Sequence, residues 1–313
     1  MKKSSEQAFS IAILMATYNG EQYIAEQLDS IVNQTEQSFV LFVSDDGSTD
    51  ATLDIVRRFQ DQLGPDRIII RDGPKQGYGR NFFSMLTEHS ITADYFTFCD
   101  QDDIWEPDRL SRAVSKIKLL PTNQSALHIC SAILIDHNGN FIGKGKRLPQ
   151  RADLRSLLLQ PAAGGNTMVF NRALANTVKQ LGTNHEADNH DWLLCLINAS
   201  IGGQFLFEPA PLIRYRQHLN NAMGPSFKIA TKLKRLRMLM DGTFSGWLDN
   251  NLVSLRPYRT KMSSETLRDF DDFHRMRDHT SSVFMSQKLF TKFRRSNKLE
   301  NLVLRALIFM KRI

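Results

Sequence analysis

The chain has 313 residues, of which 42% are hydrophobic and 23% are charged. With 17 glycines and 10 prolines it is neither collagen-like nor of low complexity, so the composition predicts a globular protein with a sizeable core. The length exceeds what one core usually organises, so we expect one large domain with an extension, or two domains.

Charge is unevenly distributed along the chain. Residues 1–225 hold 21 Lys and Arg against 25 Asp and Glu, a net charge of −4, whereas residues 226–313 hold 19 against 8, a net charge of +11. We therefore expect a catalytic or binding domain over residues 1–225 and a basic, mainly helical region over residues 226–313. Such a basic region indicates affinity for phosphate groups.

The cysteines and the apolar segments indicate the compartment. Three cysteines, odd in number and far apart, predict neither a disulfide framework nor a metal-binding knuckle. No stretch reaches the ~18 apolar residues of a membrane span. The apolar run over residues 9–16 lacks a cleavage site and is interpreted as a buried first strand instead of a signal peptide. The expected location is the cytoplasm.

Short apolar runs alternate with amphipathic segments in the first hundred residues. Strands are expected over residues 11–16, 39–43, 67–70 and 95–99, and helices over residues 21–34, 49–63 and 79–89. Each helix carries apolar side chains at helical spacing and so offers one apolar face to a sheet. This alternation predicts a mostly parallel, doubly wound α/β sheet.

The rest of the chain mixes strands with longer helices. A helix is expected to open at Pro107, and a strand over residues 127–135 is expected to turn back through His137-Asn138-Gly139-Asn140, a hairpin signal. Further strands are expected over residues 167–170, 205–207 and 212–216, with an apolar helix over 192–199. Beyond Gly224 strand patterns end, and basic amphipathic helices are expected over residues 227–240 and 298–313.

Polar residues follow three of the expected strands, as Thr17-Tyr18-Asn19-Gly20, Asp45-Asp46-Gly47-Ser48 and Asp100-Gln101-Asp102. In an open α/β sheet, ligands bind beyond the carboxyl ends of the strands. The carboxylates would repel one another there unless a cation or ligand hydroxyls offset them, and Mg²⁺ or Mn²⁺ with a diphosphate fits. The alternative is that the acidic runs only form turns and helix N-caps.

These segments resemble a known family. Residues 13–20, the acidic run 45–50 and Cys99-Asp100-Gln101-Asp102-Asp103-Ile104-Trp105 look like the inverting family 2 glycosyltransferases of the GT-A fold. The Asp-Gln-Asp-Asp-Ile-Trp variant, with residues 215–221 downstream, is most similar to bacterial rhamnosyltransferases. The resemblance covers about residues 10–222 and implies a doubly wound mixed sheet flanked by helices, here followed by the basic helical extension.

The resemblance implies a site for a nucleotide-sugar donor and a divalent cation. Asp100 and Asp102 match the ends of the family's Asp-X-Asp, which meets Mg²⁺ or Mn²⁺, and His218 is a further candidate for a metal or phosphate contact. Arg214, Arg216 and His218 alternate along an expected strand, so they would face one way and could reach a diphosphate together, although a structural surface role is the alternative. The donor-binding candidates are Thr17, Tyr18, Asn19, Asp45, Asp46, Arg80, Asp100, Gln101, Arg214 and Arg216.

The resemblance also implies a catalytic base and an acceptor side. Asp191 matches the base that deprotonates the acceptor hydroxyl, and Gly165, Asn166 and Trp192 are the acceptor candidates. An alcohol is a poor nucleophile until its proton has an acceptor, and a carboxylate base contributes roughly 10² to 10⁴ in rate. A single in-line displacement assisted in this way inverts the anomeric centre. A helix N-cap is the alternative role for Asp191.

The expected function is transfer of a sugar, from the resemblance L-rhamnose from dTDP-L-rhamnose, to a saccharide or lipid-linked saccharide in cell-surface polysaccharide synthesis, such as O-antigen or capsule. The processive synthases' Gln-X-X-Arg-Trp is missing, which favours addition of a single sugar. Three alternatives stay open: another donor such as a UDP-hexose, a nucleotidyltransferase that releases pyrophosphate, and a nucleic-acid-binding protein using the basic tail. The acidic body argues against a nucleic-acid partner.

The basic tail predicts a surface for association. Apolar stripes with cationic flanks suit the anionic inner face of the plasma membrane, which makes peripheral attachment the favoured hypothesis. The alternative is that these helices pack on the catalytic body or on a second copy of the chain, so an oligomer stays open.

Overall fold

The computed structural model describes residues 10–149, 152–182, 188–218, 237–238, 240–277 and 293. The strands are β1 (Ile11–Thr17), β2 (Phe39–Asp45), β3 (Ile68–Asp72), β4 (Tyr95–Asp100), β5 (Ile104–Trp105), β6 (Ala126–Ile135), β7 (Phe141–Lys144), β8 (Met168–Asn171) and β9 (Gln204–Arg216). The helices are α1 (Ile24–Val32), α2 (Thr52–Leu63), α3 (Tyr78–Thr87), α4 (Arg109–Ile117), α5 (Leu154–Leu157), α6 (Arg172–Lys179), α7 (His190–Ser200), α8 (Thr243–Leu255) and α9 (Ser264–Arg277). Short 3₁₀ helices cover Gly165–Thr167 and Arg256–Lys261.

The strands form one mixed sheet in the order β3-β2-β1-β4-β8-β6-β9-β5, with β7 paired to β6 beside this path. β1 to β4 are parallel to one another. β8 runs antiparallel to both β4 and β6, and β6 is parallel to β9, so β6 and β9 point the same way as β4. The sheet is therefore mixed and flanked by helices, as the sequence predicted.

The sheet is buried on both faces, which explains the unbroken apolar sequence of its central strand. Ala12 and Leu14 of β1 belong to one hydrophobic cluster, whereas Ile11, Ile13 and Met15 belong to another. Successive side chains of a strand point to opposite faces, so these two clusters are the cores above and below the sheet. A strand covered on both sides needs apolar residues at nearly every position.

Local contacts shift several boundaries from those predicted. The helix expected to start at residue 21 begins at Ile24, because residues 20–23 form a turn in which the Ile24 N–H donates to the Gly20 carbonyl at 3.0 Å. The strands expected over residues 205–207 and 212–216 are one continuous β9, whose register with β6 shifts around Ser131. β5 was not predicted, since its two residues carry no periodic pattern and pair with the distant β9.

The C-terminal helices α8 and α9 pack onto the domain that contains the sheet. Leu252 and Leu255 of α8 and Phe270 and Phe273 of α9 are buried in the same cluster as Leu14 of the sheet. Neither helix is strongly basic: α8 carries one Asp and no Lys or Arg, and α9 carries three Arg against four Asp and Glu. The basic helices expected over 227–240 and 298–313 lie outside the described residues, apart from residues 237, 238 and 240. Within the part of the chain that the structure describes, no helix is both long and apolar enough to cross a bilayer.

Candidate active site

The carboxyl ends of β1, β2, β3, β4, β6 and β9 all lie at one rim of the sheet, since these strands run in the same direction. This rim collects the polar loops that the sequence singled out. Three parts can be distinguished: the loops after β1 and β2, an acidic cluster and a carboxylate on α7.

The loops after β1 and β2 are tied together through Asp45. Its carboxylate is buried and accepts hydrogen bonds from the Thr17 hydroxyl at 2.8 Å and from the Ser48 N–H, also at 2.8 Å. The Asp46 carboxylate accepts from the Lys75 N–H at 3.0 Å and the Gly77 N–H at 2.9 Å, which joins the end of β2 to the loop before α3. Both carboxylates therefore organise backbone at the rim, and the predicted turn role of this run is present in the structure.

The loop after β1 is also tied to the loop after β4. The Gln101 side-chain amide accepts from the Tyr18 N–H at 2.9 Å and donates to the Tyr18 carbonyl at 3.0 Å. Asn19 adopts a positive φ of 47°, and its side-chain oxygen accepts from the Thr49 N–H at 2.9 Å. Thr17, Tyr18, Asn19, Asp45, Asp46 and Gln101 are thereby brought together along neighbouring strand ends. Arg80 lies in α3, half-buried.

Three carboxylates crowd at the end of β4. Asp100, Asp102 and Asp103 each offer an oxygen within 4.8 Å of the others. Burial, followed by the charges of Asp102 and Asp191, raises the pKa of Asp100 from 3.8 to about 8, and burial with the neighbouring carboxylates also raises the pKa of Asp103 well above its usual range. Carboxylates this close repel one another unless a cation offsets them. Oxygen ligands of this kind suit Mg²⁺ or Mn²⁺, so the donor set fits such an ion.

His218 and Arg216 approach this cluster from the end of β9. The His218 Nε2 lies 2.7 Å from the Asp102 Oδ2. The Arg216 side chain is almost fully buried, donates to the Asp102 carbonyl at 2.9 Å and pairs with Glu26 at 2.5 Å. Arg214 is more exposed and pairs with Glu106 at 2.8 Å. His218 is thus placed at the acidic cluster, whereas the described contacts of the two arginines brace the loop that carries it.

Asp191 faces the same region from the first turn of α7. Its carboxylate accepts from the Trp192 N–H at 2.7 Å, and burial raises its pKa from 3.8 to about 6. The carboxylate also accepts a hydrogen bond from the Gly165 backbone, and the neighbouring Asn166 donates to Asp103, so the 3₁₀ helix Gly165–Thr167 links Asp191 to the acidic cluster.

Tyr78 is a site residue that the sequence did not single out. It begins α3 and is 45% exposed. Burial of part of its ring, followed by the charges of Asp191 and Asp100, raises its pKa to about 12. The sequence feature that could have pointed to Tyr78 is its position between two glycines, Gly77 and Gly79. A side chain at Gly79 would collide with the backbone carbonyl of Asp188, so the glycine allows α3 to approach the start of α7.

The acceptor candidates are placed beneath the rim. Asn166 is buried, and its side-chain amide donates to the Asp103 carboxylate at 2.5 Å. Trp192 is buried too, with its indole N–H donated to the Leu157 carbonyl at 2.6 Å. Gly165 has no room for a side chain because the His190 ring lies against it. Asn166 therefore contacts the acidic cluster, whereas Trp192 belongs to the hydrophobic core and Gly165 packs against α7.

Comparison with known proteins shows the family of the chain. The family model described as glycosyl transferase family 2 matches residues 12–173. The chain is 32% identical over 235 residues to the dTDP-rhamnosyl transferase RfbG of Shigella flexneri. The aligned residues cover 72% of this chain and 78% of that protein. It is 27% identical over 193 residues to the UDP-Glc:alpha-D-GlcNAc-diphosphoundecaprenol beta-1,3-glucosyltransferase WfgD of Escherichia coli, covering 62% of this chain and 72% of that protein.

A solved structure shares the fold. S. aureus TarS 1-349, solved in complex with UDP-GlcNAc, superposes with a TM-score of 0.56 at 17% identity, over 97% of this chain and 89% of that one. The predicted GT-A architecture is thereby confirmed. The chain belongs to glycosyl transferase family 2.

Proposed function

We propose that this protein is an inverting, metal-dependent glycosyltransferase that moves L-rhamnose from dTDP-L-rhamnose to a saccharide or lipid-linked saccharide acceptor during assembly of a cell-surface polysaccharide. The observation that carries the proposal is the arrangement at the rim: an acidic cluster lies at the end of β4, and the loop that bonds to Asp191 through Gly165 also bonds to this cluster through Asn166. A sugar nucleotide between them would meet a cation site and a base at once.

The donor side is proposed to use the loops after β1, β2 and β4. Thr17, Asp45 and Asp46 hold these loops in place, so the nucleoside would meet a surface whose backbone is already fixed. Asp100 and Asp102, with His218 against Asp102, would hold Mg²⁺ or Mn²⁺. A bound divalent ion would supply Lewis-acid stabilisation of the negative charge that develops on the leaving diphosphate.

The acceptor side is proposed to use Asp191 as the general base. A carboxylate with a pKa of about 6 is ionised at neutral pH, yet it is a stronger base than an exposed aspartate. It would take the proton of the attacking hydroxyl as the new bond forms at the anomeric carbon and the bond to the diphosphate breaks. Attack from the side opposite the leaving group inverts the configuration. Tyr78 is placed beside both carboxylates and would contact the sugar.

The donor sugar rests on similarity to RfbG, whose name gives dTDP-rhamnose. The name of WfgD gives UDP-Glc and a diphosphoundecaprenol acceptor, so a UDP-hexose is the specific rival donor and a lipid-linked saccharide is a candidate acceptor. The test is a panel of dTDP-, UDP- and GDP-sugars, with release of the nucleoside diphosphate measured in Mn²⁺ and in Mg²⁺. Selective turnover of dTDP-L-rhamnose supports the proposal. Selective turnover of a UDP-hexose would show that the assignment of the donor sugar is wrong. Release of pyrophosphate would show that the reaction is not glycosyl transfer.

The cation role gives a separate prediction. Asp102→Ala removes a carboxylate from the cluster and the partner of His218, so we expect Mn²⁺-dependent donor binding to weaken by at least about tenfold, the loss of one charged ligand. Calorimetric titration of the donor with and without Mn²⁺ measures this change in affinity. Asp108→Ala, just before α4, is the matched control. An unchanged Mn²⁺-dependent affinity would remove Asp102 from the metal site.

A further inference from the structure

A hairpin at the rim of the sheet exposes apolar side chains. We call residues 136–147 the exposed hairpin; it contains β7, which pairs with the end of β6. Phe141 is 62% exposed and Ile142 is 42% exposed. Large apolar side chains exposed together on a protruding element mark a surface for another molecule more often than isolated ones do.

The same hairpin is rich in positive charge. Lys144, Lys146 and Arg147 are exposed beside the two apolar residues. Its one acidic residue, Asp136, accepts from the N–H groups of Asn138 and Asn140, each at 2.9 Å, so that carboxylate is used inside the turn. Apolar side chains that can enter the acyl boundary, flanked by cations that meet phosphate, are typical of segments that lie on anionic bilayers.

The exposed hairpin is physically connected to the active site. The Arg216 guanidinium donates to the His137 carbonyl at 3.1 Å and to the Asp102 carbonyl at 2.9 Å, so one side chain joins the hairpin to the acidic cluster. At the other end, the Lys146 ammonium donates at 3.3 Å to the carbonyl of Pro161, in the loop that leads to Gly165. The hairpin therefore borders the side of the site where Asn166 and Asp191 lie.

We propose that the exposed hairpin is a membrane-contacting element, which rests on the headgroups of anionic phospholipids and holds the acceptor side of the site against the bilayer. This inference rests on the proposed function, because a lipid-linked acceptor presents its saccharide at that surface. The other occupant to consider is a strand of a partner protein added to the edge of β7. Lys144 and the neighbouring Gly143 and Gly145 make that edge a poor template for pairing.

The first test places a fluorophore on the hairpin of the full-length chain. Phe141→Trp is compared with Leu119→Trp, since Leu119 is 84% exposed and next to Lys118, but precedes β6 and so lies at the opposite rim. The signal of the wild-type chain, which has three tryptophans, is subtracted from both. Both are titrated with vesicles of phosphatidylglycerol and phosphatidylethanolamine that carry brominated acyl chains. We expect a blue shift and quenching at residue 141 and neither at residue 119. An unquenched residue 141 on vesicles that bind the protein would overturn the proposal and leave attachment to the basic tail.

The second test removes the apolar side chains or the positive charges of the exposed hairpin. The double substitution Phe141→Ser and Ile142→Ser, and separately Lys144→Gln with Arg147→Gln, should each lower co-sedimentation with the same vesicles by roughly tenfold, whereas Leu119→Ser should not. Undiminished binding in both variants, or equal loss with Leu119→Ser, contradicts the inference. Release of nucleoside diphosphate in solution should stay at the wild-type rate, because these side chains are outside the site. Its absence in the wild-type protein would count against the proposed function, while the vesicle result would stand by itself.

Discussion

Asp191 combines two features that a general base needs. Its position in the first turn of α7 fixes the carboxylate through the Trp192 N–H, and its burial lifts the pKa towards neutrality. The alternative expected from the sequence, an N-capping aspartate, is wrong: the N-cap of α7 is Asn189, and Asp191 lies inside the first turn. A carboxylate in the first turn of a helix contributes about 0.3–1 kcal/mol to stability, whereas a general base contributes orders of magnitude in rate, so substitution separates the two roles.

We expect Asp191→Asn to keep donor binding and to lower transfer by about 10² to 10⁴, since the amide keeps the shape of the side chain but accepts no proton. Calorimetry with the donor and a transfer assay measure the two properties on the same preparation. Asp188→Asn, at an exposed carboxylate three residues earlier, is the matched control and should change transfer by less than about threefold. Near-normal transfer by Asp191→Asn would place the base elsewhere.

The pH dependence follows from the same carboxylate. Burial raises its folded-state pKa to about 6, and only the ionised form accepts a proton. Transfer should therefore be fully supported above that pH and fall as the pH is lowered through about 6, approaching a tenfold loss for each further unit. The rate at saturating donor and cation, measured between pH 5 and pH 8, gives the profile. A profile that stays flat down to about pH 4.5 would contradict the assignment, since an ordinary aspartate titrates below that value.

Below the acidic cluster, the short 3₁₀ helix Gly165–Thr167 is linked to α4 and to the end of β4. The Arg109 guanidinium stacks on the Trp105 ring at 3.7 Å and donates to the Asn166 carbonyl at 2.7 Å. Asn166 in turn donates to Asp103, whose other oxygen accepts from the Arg216 N–H at 3.1 Å. The loop beside Asp191 and the loop beside Asp102 are thereby held in one buried network.

Asn166→Ala should loosen that network. It leaves an oxygen of the buried Asp103 without its amide donor, which costs about 1–3 kcal/mol of folding free energy. We also expect a lower kcat with a higher Mn²⁺ requirement, which a merely destabilised but correctly arranged site would not show. Urea unfolding and Mn²⁺ titration of the rate are the measurements, with Asn176→Ala, at an exposed position of α6, as control. Loss of stability with an unchanged Mn²⁺ requirement would limit Asn166 to a structural role.

How much of this was predictable from the sequence differs between segments. The strands that lead into Asp45 and Asp100 were predictable, because a buried parallel strand is an apolar run ending in polar residues. The start of α1 at Ile24 was not, since it depends on a turn at Gly20. β5 was missed because two residues carry no periodic pattern.

The contacts of Arg216 show more clearly what a sequence pattern cannot predict. Alternation along β9 places its side chain on one face, but the partners Glu26 and Asp102 come from distant segments. Spacing in a sequence gives the face on which a residue lies, and only the assembled sheet shows what lies opposite. The same holds for Tyr78, whose neighbours Asp191 and Asp100 belong to other elements.

The packing of α8 and α9 bears on how the chain is divided. Their apolar residues share a core with the sheet, and Arg155 of α5 pairs with Asp269 of α9 at 2.6 Å. Residues 243–277 therefore pack on the sheet, whereas the basic segments over 227–240 and 298–313, for which packing or membrane attachment was expected, lie outside the described residues apart from 237, 238 and 240. We expect the sheet and these two helices to unfold in one cooperative transition.

Phe273→Ala tests that expectation. The side chain is fully buried and packs edge-to-face on Phe293 at 5.1 Å, so its removal should lower the free energy of unfolding by about 3–5 kcal/mol. Val253→Ala, at an exposed position of α8, should cost less than about 0.5 kcal/mol. Urea unfolding followed by circular dichroism and by tryptophan fluorescence measures both. Two separated transitions, with only one moved by Phe273→Ala, would show that the helices form an independent unit.

The pairing of β5 with β9 has a consequence for synthesis on the ribosome. β1 to β4 join through neighbouring βα units, so the amino-terminal half can gain structure while the rest of the chain is still being translated. Ile104 cannot pair with Arg214, and the Asp102 carbonyl cannot accept from Arg216, until β9 has been synthesised. The nascent chain therefore acquires the loops after β1 and β2 early and its braced carboxylates late, which delays assembly of the complete site until β9 has left the exit tunnel.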